Sequence, residues 1–408
     1  MVAVVSRSSR RSSGLVAEDF RGKGYDWAMI RNQEKSEKLL LELTALPTAA
    51  GHEGRVQAFL DGWLARRSKS LQWKRDRAGN LLIRRRNPSR KAPILITAHL
   101  DHPAFLVTSV VDREITLEFR GGVQDPYFED ARIEIFDRND VRHRARITSL
   151  DKDAKPFKTV TARLSRKPGD VAPGDIARWV FPAPEIKGGR LRTNACDDLA
   201  AAAAALVAFD RIRTRKGCEH VGLLFTVAEE VGFLGAIEVA KNALSSRGGL
   251  ISKSSRLICL ENSRSFAESP IGGGPIVRVG DRISVFSPEL TNTISQICQE
   301  AEKKDPDFRW QRRLMPGGAC EATAFSTYGF QSTCLCLPLG NYHNMADIDG
   351  VAAGARPARV AREEIAMADF HGLVRMLELV ASRLDDDQKK VRTLLDGLHR
   401  DRSFVLEG

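Results

Sequence analysis

Histidine and acidic residues stand directly behind short apolar segments of this 408-residue chain, namely PILITA, GLLFTVA, LICL and CLCLPLGNY, and in front of an alanine-rich helical segment. Imidazole and carboxylate groups bind divalent metal ions, and carboxylates also transfer protons. Two histidines and three or four carboxylates suit two divalent ions that share one bridging carboxylate and together activate a water and polarise a carbonyl group. The residues in question are His99, Asp101, Asp197, Asp198, Glu229, Glu230, Glu261 and His343.

Each of these residues also has a simpler interpretation when it is considered alone. His99 could be a packing or surface residue at the end of a strand, and Asp197 or Asp198 could cap the helix that follows. Glu229 and Glu230 could complement a helix dipole. Because the carboxyl ends of parallel strands meet at one edge of a sheet, acids or histidines after four separate strands favour one shared metal site.

The apolar segments predict the architecture that would bring these residues together. They are short and almost wholly apolar, as is typical of strands covered on both faces, and they alternate with helical segments. This pattern predicts an α/β fold with a mainly parallel sheet and helices on both faces. LQWKRDRAGNLLIRRR predicts a hairpin, and a long helix is predicted from Arg362 over REEIAMADFHGLVRMLELVASRL.

One stretch of the chain has a different hydrophobic pattern. RIEIFDR, ARITSL, TVTARLS and IARWVF alternate apolar and polar residues between turn residues, which predicts a small inserted β-barrel or similar β module. We therefore expect an arm rich in Arg, Ser and Gly, a catalytic α/β domain in two pieces, an inserted β domain and a charged tail. Their predicted ranges are 1–27, 28–104 with 188–384, 105–187, and 385–408.

Composition excludes several classes of protein. Hydrophobic residues make up 42% and charged residues 28% of the chain, which excludes a largely disordered protein, and no apolar run reaches the ~20 residues that span a bilayer. The seven cysteines are odd in number and mostly lie in apolar runs, which predicts reduced, buried thiols and a cytoplasmic protein. The net charge of +11 is spread along the chain without a nucleic-acid-binding motif, so it favours a solvated basic surface over a nucleic-acid partner.

Seven motifs occur in an order that resembles the glutamyl and deblocking aminopeptidases, a family of dinuclear metallopeptidases that includes the tetrahedral aminopeptidases. The resemblance covers most of residues 35–380 and implies a zinc-peptidase-like fold whose barrel-like or PDZ-like insert lies between the His-x-Asp strand and the Asp-Asp helix. The motifs are GHEGRV, AHLDHPAFLV, NACDDLAAAAAAL, LLFTVAEEVGFLGA, ENS with GPIVRVGD, PGGACEATAF and LPLGNYHN.

The resemblance implies a role for each candidate residue. His99 and His343 would each bind one of two divalent cations, and Asp197 would bridge them; zinc is expected, with cobalt or manganese as alternatives. Glu230 would bind one cation and Glu261 the other. The remaining two roles would be those of a general base, Glu229, and of a partner that orients the His99 imidazole, Asp101.

The chain departs from the family pattern at three places. His102 and Pro103 follow the His-x-Asp motif where an acid is usual, so His102 is either an added ligand or part of the pocket wall. Glu261 replaces the more common Asp, and its longer side chain leaves open a carboxypeptidase or N-acyl amide hydrolase. Cys320-Glu321 replaces Thr-Asp.

The resemblance also implies partners. We expect a metal-dependent aminopeptidase that acts on short peptides and forms a homo-oligomer, from a dimer up to a dodecamer, without binding a membrane. A non-catalytic polyanion-binding protein on the same fold is the alternative suggested by the basic charge and the basic N-terminal arm.

Overall fold

The computed structural model describes residues 27–245, 248–386 and 390–406. Apart from residue 27, the predicted N-terminal arm lies outside these residues. The chain divides into two compact units at Leu39–Leu40, and the sheets, the barrel and the candidate site described below all belong to the second unit.

The helices, in chain order, are α1 (Trp27–Thr44), α2 (Gly54–Ala65), α3 (Leu199–Ile212), α4 (Leu234–Leu244), α5 (Pro288–Lys304), α6 (Glu321–Thr327), α7 (Ile348–Ala352), α8 (Met367–Arg383) and α9 (Lys390–Arg402). Single 3-10 turns occupy Asp125–Phe128, Tyr342–Asn344 and Ser403–Leu406.

The strands, in chain order, are β1 (Leu71–Arg75), β2 (Leu81–Arg85), β3 (Ile94–His99), β4 (Ala104–Val111), β5 (Glu114–Arg120), β6 (Arg132–Phe136), β7 (Arg142–Asp151), β8 (Lys158–Leu164), β9 (Ile176–Trp179), β10 (Glu185–Lys187), β11 (Arg190–Thr193), β12 (Val221–Thr226), β13 (Arg256–Arg264), β14 (Ile276–Asp281), β15 (Gln311–Met315), β16 (Gln331–Leu339), β17 (Met345–Ala346), β18 (Arg359–Val360) and β19 (Glu363–Ala366).

The main sheet has the strand order β1-β2-β12-β3-β13-β16-β14-β15. Its four central strands, β12, β3, β13 and β16, run parallel, and the predicted hairpin β1–β2 joins one side antiparallel. Helix α8 contacts both α3 and α5 over one face, while α4 and α6 pack on the other, so the central strands are buried on both faces as their apolar sequences predict. The predicted α/β fold is confirmed.

The predicted β module is a closed barrel with the strand order β4-β5-β8-β7-β6-β9. Strands β5 and β8 bury alternate residues. Four aromatic rings of the barrel, those of Phe105, Phe119, Phe128 and Trp179, lie with centroids 4.8–6.1 Å apart. The barrel strands are inserted in the chain between β3 and β10. The barrel itself is confirmed, whereas the domain boundaries at 104/105 and 187/188 stay a prediction.

The helix predicted from Arg362 is wrong at its start. Glu363–Ala366 form β19, which pairs antiparallel with β11, and α8 begins only at Met367. Four residues are too few to show the alternation of a strand, so the helical pattern that follows masked them.

Two further predictions concern bulk properties. All seven cysteines are buried free thiols, as predicted. None of the described helices combines the length and the apolar character that a membrane crossing requires.

Candidate metal centre

The fold places all the predicted ligands at the carboxyl-terminal edge of the central strands. His99 is the last residue of β3, Glu230 follows β12, and Glu261 is the sixth of the nine residues of β13, beyond the part of β13 that pairs with β3. Asp197 lies in the turn before α3, and His343 lies in the loop after β16. Residues far apart in the sequence therefore meet in one cleft.

The carboxylate of Asp197 lies between the two imidazoles. Its Oδ1 is 3.3 Å from Nε2 of His99, and its Oδ2 is 3.5 Å from Nε2 of His343. One carboxylate oxygen therefore faces each imidazole, which is the arrangement that a ligand shared by two cations requires.

Three glutamates lie around Asp197 and the two imidazoles. Oε2 of Glu230 is 3.4 Å from Nε2 of His343, and ligand atoms of Glu230, His99 and Asp197 also lie within 4.8 Å of one another. Ligand atoms of His99, Glu229 and Glu261 form a second such group. Each imidazole thus has a glutamate beside it in addition to Asp197.

The donor atoms fit divalent cations, because several of them are buried without a hydrogen-bond partner. In the part of the chain that the structure describes, no such partner reaches the following atoms: Nε2 of His99, Oδ1 of Asp197, Oε1 of Glu230 and Oε2 of Glu261. Buried polar atoms in a native protein are normally paired, so four orphaned ligand atoms in one cleft indicate a cation site.

The electrostatics of the cluster support the same conclusion. Burial, together with the neighbouring carboxylate of Asp197, raises the pKa of Glu230 and of Glu261 well above the usual range. Burial lowers the pKa of His99, but the carboxylates of Glu229 and Asp101 outweigh it and the net pKa is raised well above normal. Divalent cations would compensate this excess of buried negative charge.

Asp101 holds the loop that carries the two glutamates. Its Oδ1 accepts the backbone N–H of Glu229 and its Oδ2 that of Glu230, both at 3.0 Å. Nδ1 of His99 also lies 3.4 Å from Oδ1 and 3.2 Å from the backbone carbonyl of Asp101. Asp101 therefore contacts both the imidazole and the glutamate pair.

The simpler interpretations of the acids do not describe what these side chains do. Asp198 occupies the N-cap position of α3, but its side chain makes no capping bond and its Oδ2 accepts the backbone N–H of His99 at 3.3 Å. Helix α4 begins at Leu234, so Glu229 and Glu230 lie outside its first turn.

The loop that carries His343 has an unusual backbone. Asn341, His343 and Asn344 have φ of 53°, 53° and 63°, a left-handed region that costs non-glycine residues roughly 1–3 kcal/mol each. Nδ1 of His343 is 2.6 Å from the carbonyl oxygen of Gly122, in the loop between β5 and β6 of the barrel. This contact leaves Nε2 of His343 facing Asp197 and Glu230.

His102 does not belong to either group of potential metal ligands found among the described residues. Its Nδ1 lies 2.5 Å from the backbone oxygen of Asp197 and its Nε2 lies 3.2 Å from Oδ1 of Asn344. Both ring nitrogens are thus occupied by protein atoms, and burial lowers the pKa of His102 to about 4. Of the two roles considered for His102, the wall of the cleft is the one that these contacts favour.

Three buried acids near the cleft were missed or undervalued in the sequence. Glu363 accepts backbone N–H groups from both ligand loops. Glu53 accepts the N–H of Ala228, next to Glu229, at 2.9 Å. Glu321, the first residue of α6, accepts a hydrogen bond from Thr97 at 3.1 Å. Glu53 and Glu321 lie in motifs already quoted, whereas Glu363 has no local signal.

A cavity of about 490 Å³ adjoins Glu261. Its walls come from the second half of β13, Arg278 of β14, the loop around Gly317-Gly318, and residues between Tyr342 and Asp349. The ring of Tyr342 stacks on that of His343 with centroids 3.7 Å apart. The cavity therefore opens beside the cluster and can hold a ligand that reaches it.

The model of the M42 glutamyl aminopeptidase family matches residues 79–356. This chain belongs to that family. It is accordingly a peptidase, and the resemblance derived from its motifs is confirmed. A search of curated proteins gives no match.

Solved structures of other peptidases share the fold of this M42 member. The TET1 peptidase of Pyrococcus horikoshii, which can assemble into a tetrahedron or a large octahedral shell, gives a TM-score of 0.67 at 18% identity over 86% of this chain and 99% of that one. The TET aminopeptidase of a marine sediment Thaumarchaeota archaeon gives 0.69 at 18% identity over 86% and 98%. An M18-family aminopeptidase of Thermotoga maritima gives 0.60 at 14% identity over 88% and 98%.

Proposed function

We propose that this M42 peptidase is a dinuclear metal-dependent aminopeptidase that removes N-terminal residues from short peptides. The observation that carries the proposal is the carboxylate of Asp197, which presents one oxygen to each of two imidazoles at 3.3 and 3.5 Å. Family membership supports the reaction class, and the orphaned donor atoms support the cations.

The two cations would have three protein ligands each. His99, Asp197 and Glu261 would hold one, and His343, Asp197 and Glu230 would hold the other. Histidine and carboxylate ligands suit zinc, with cobalt and manganese as alternatives. When bound, the two cations would lower the pKa of a water molecule and polarise the scissile carbonyl group.

Glu229 is the proposed general base. Burial and the nearby carboxylates of Asp101 and Glu321 raise its pKa well above the usual range, and His99 opposes this shift. A carboxylate of raised pKa can take a proton from the attacking water and return it to the leaving amine. Asp101 fixes the backbone from which Glu229 reaches the cleft.

The cavity beside Glu261 is the proposed site for a substrate side chain. Its volume of about 490 Å³ lies within the ordinary range of ligand pockets. Phe266, Met315 and Met345 give it apolar walls. A peptide whose scissile bond lies at the cluster could place a side chain there.

A carboxypeptidase or an N-acyl amide hydrolase is the second candidate, because Glu261 stands where Asp is more common in aminopeptidases of this kind. The same cations and the same base would serve both reactions. The difference lies in the end of the substrate that is recognised: a free N-terminal amine, an acylated amine or a free C-terminal carboxylate.

A homo-oligomer is also proposed. The Pyrococcus horikoshii and Thaumarchaeota TET proteins share the fold, and the first assembles into closed shells. The expectation of a cytoplasmic protein agrees with seven buried free thiols, which a reducing compartment would preserve.

Replacement of the base tests the proposal. Glu229→Gln keeps the shape of the side chain but cannot accept a proton, so we expect kcat to fall about 10²–10⁴-fold while two cations remain bound. The control is Glu238→Gln, an exposed acid of α4 that pairs with Asn242, which should keep full activity.

The assay compares peptides with free and with blocked N-termini and measures the metal content of the same samples. Release of N-terminal residues from free peptides alone supports an aminopeptidase. Release of the acyl group from blocked peptides, or release of C-terminal residues from free and blocked peptides alike, would favour the second candidate. A fully active Glu229→Gln enzyme would refute the assignment of the base.

A further inference from the structure

Glu363 is a buried carboxylate that connects two loops of the proposed metal centre. Its side chain has no solvent exposure, and it enters the cleft from the first residue of β19. Oε2 accepts the backbone N–H groups of Cys196 at 2.7 Å and of Asp197 at 3.0 Å. Oε1 accepts the backbone N–H of His343 at 2.9 Å.

The two loops held by Glu363 come from distant parts of the chain. One leads from β11 into α3 and carries Asp197, and the other follows β16 and carries His343. Neither residue lies within a strand or an α-helix, and His343 has a left-handed backbone. Other side chains also join these loops, since His102 lies between the backbone oxygen of Asp197 and Oδ1 of Asn344. The carboxylate of Glu363 differs from them in holding the backbone N–H groups of Asp197 and of His343 themselves.

The neighbouring residue shows that this arrangement belongs to the side chain of Glu363 and not to the strand. The carboxylate of Glu364 lies on the other side of β19, where it binds Arg190 at 3.3 Å and Arg192 at 3.0 Å and remains partly exposed. Both glutamates share the backbone pairing with β11. The backbone of Glu364 pairs with Gly340 at the start of the His343 loop, whereas it is the carboxylate of Glu363 that accepts the N–H groups of Asp197 and His343.

We propose that Glu363 is a positioning residue that fixes Asp197 and His343 relative to each other and so sets the affinity for the cation between His343, Asp197 and Glu230. This inference rests on the proposed dinuclear site. Its physical basis is that three hydrogen bonds from backbone N–H groups to one fully buried side chain restrict two otherwise irregular loops.

The isosteric variant Glu363→Gln removes this function selectively. An amide has one acceptor oxygen, and its NH₂ group would face a backbone N–H donor, so at most one of the two loops can stay bound. Glu363→Asp is the second variant, because a side chain one methylene shorter cannot span both loops. Glu364→Gln is the matched control on the same strand.

The experiment titrates the metal-free full-length proteins with Co²⁺, followed by visible absorption and by calorimetry. Far-UV circular dichroism and the melting temperature without metal verify that each variant is folded. We expect two equivalents in the wild type and in Glu364→Gln. In Glu363→Gln and Glu363→Asp, one equivalent should bind 10–100-fold more weakly, the range that is typical of a lost outer-shell partner, while the other is retained.

Two outcomes would overturn the inference, and they can be told apart. If the wild type binds two equivalents and both Glu363 variants bind them with the same affinities, Glu363 does not position the centre, although the proposed function stands. If the wild type itself binds fewer than two equivalents, the dinuclear site is wrong and the inference falls with it.

Discussion

Two buried regions of the molecule are built from opposite kinds of side chain. The barrel interior holds the rings of Phe105, Phe119, Phe128 and Trp179 in mutual contact, whereas the edge of the main sheet holds a cluster of carboxylates and imidazoles. Burying each aromatic ring stabilises the fold by roughly 1.5–3 kcal/mol, but burying carboxylates costs free energy unless cations or hydrogen bonds compensate. The aromatic interior of the barrel therefore stabilises the fold, whereas the buried carboxylates at the sheet edge lower its stability unless a ligand compensates their charge.

Buried aspartates in the two regions make the contrast concrete. In the barrel, Oδ1 of Asp137 accepts the N–H groups of Asn139 and Val141, and its Oδ2 is 2.8 Å from Nε2 of His143. At the sheet edge, Oδ1 of Asp197 has no hydrogen-bond partner among the described residues. The protein satisfies the Asp137 carboxylate, whereas one oxygen of Asp197 is unpaired among the described residues, as the proposed metal site requires.

The largest expected effect comes from neutralising Asp197. Asp197→Asn should weaken the binding of both cations at least ~100-fold, because losing a shared ligand costs more affinity than losing an outer-shell partner. It should also abolish measurable peptidase activity. Metal content after dialysis and peptide hydrolysis measure these effects.

Asp137→Asn is the control from the barrel. It should keep the cations and the activity and lower the free energy of unfolding by about 1 kcal/mol, since only local hydrogen bonds weaken. If Asp197→Asn retained both cations, the two aspartates would not differ in the way proposed.

Smaller effects are expected when two buried glutamates are neutralised in the metal-free protein: Glu261→Gln should raise the melting temperature and Glu134→Gln should lower it. Burial, with Asp197 and Glu229, raises the pKa of Glu261, so the folded protein keeps this proton to higher pH than the unfolded chain does. The free energy of unfolding of the metal-free protein therefore falls as pH rises above ~4.3, the pKa of a glutamate in the unfolded chain. Glu261→Gln removes this pH-dependent destabilisation. Its melting temperature in EDTA should equal that of the wild type near pH 4 and exceed it by a few degrees at pH 8.

Glu134→Gln provides the matched comparison in the barrel. Glu134 is buried and accepts a hydrogen bond from Arg178 at 3.0 Å, so its neutralisation leaves a buried cation poorly paired and should lower the melting temperature at pH 8. A lower melting temperature for both variants would mean that the carboxylates of the sheet edge are stabilised by the protein alone.

The sequence was sufficient for the part of the site that depends on strand ends. Apolar segments such as PILITA identify buried strands, and the rule that the carboxyl ends of parallel strands converge brings His99 and Glu230 to one edge. The alternating segments likewise predicted the barrel. In each case a local pattern determines the element, and general topology does the rest.

The contacts that hold the proposed metal-binding side chains in place could not be predicted from local sequence patterns. Glu363 lies in a four-residue strand in front of a long helical pattern, and its importance comes only from backbone groups far away in the sequence. The carbonyl of Gly122 beside His343 is a similar case, since a backbone oxygen has no sequence signature. The same is true of His102, whose two ring contacts depend on the fold.

Anomalous diffraction from crystals of the full-length protein grown with zinc tests the central claim most directly. The account predicts two zinc peaks about 3.5–4 Å apart on either side of the Asp197 carboxylate, one next to His99 and the other next to His343. A single peak, or peaks that do not share Asp197, would contradict it.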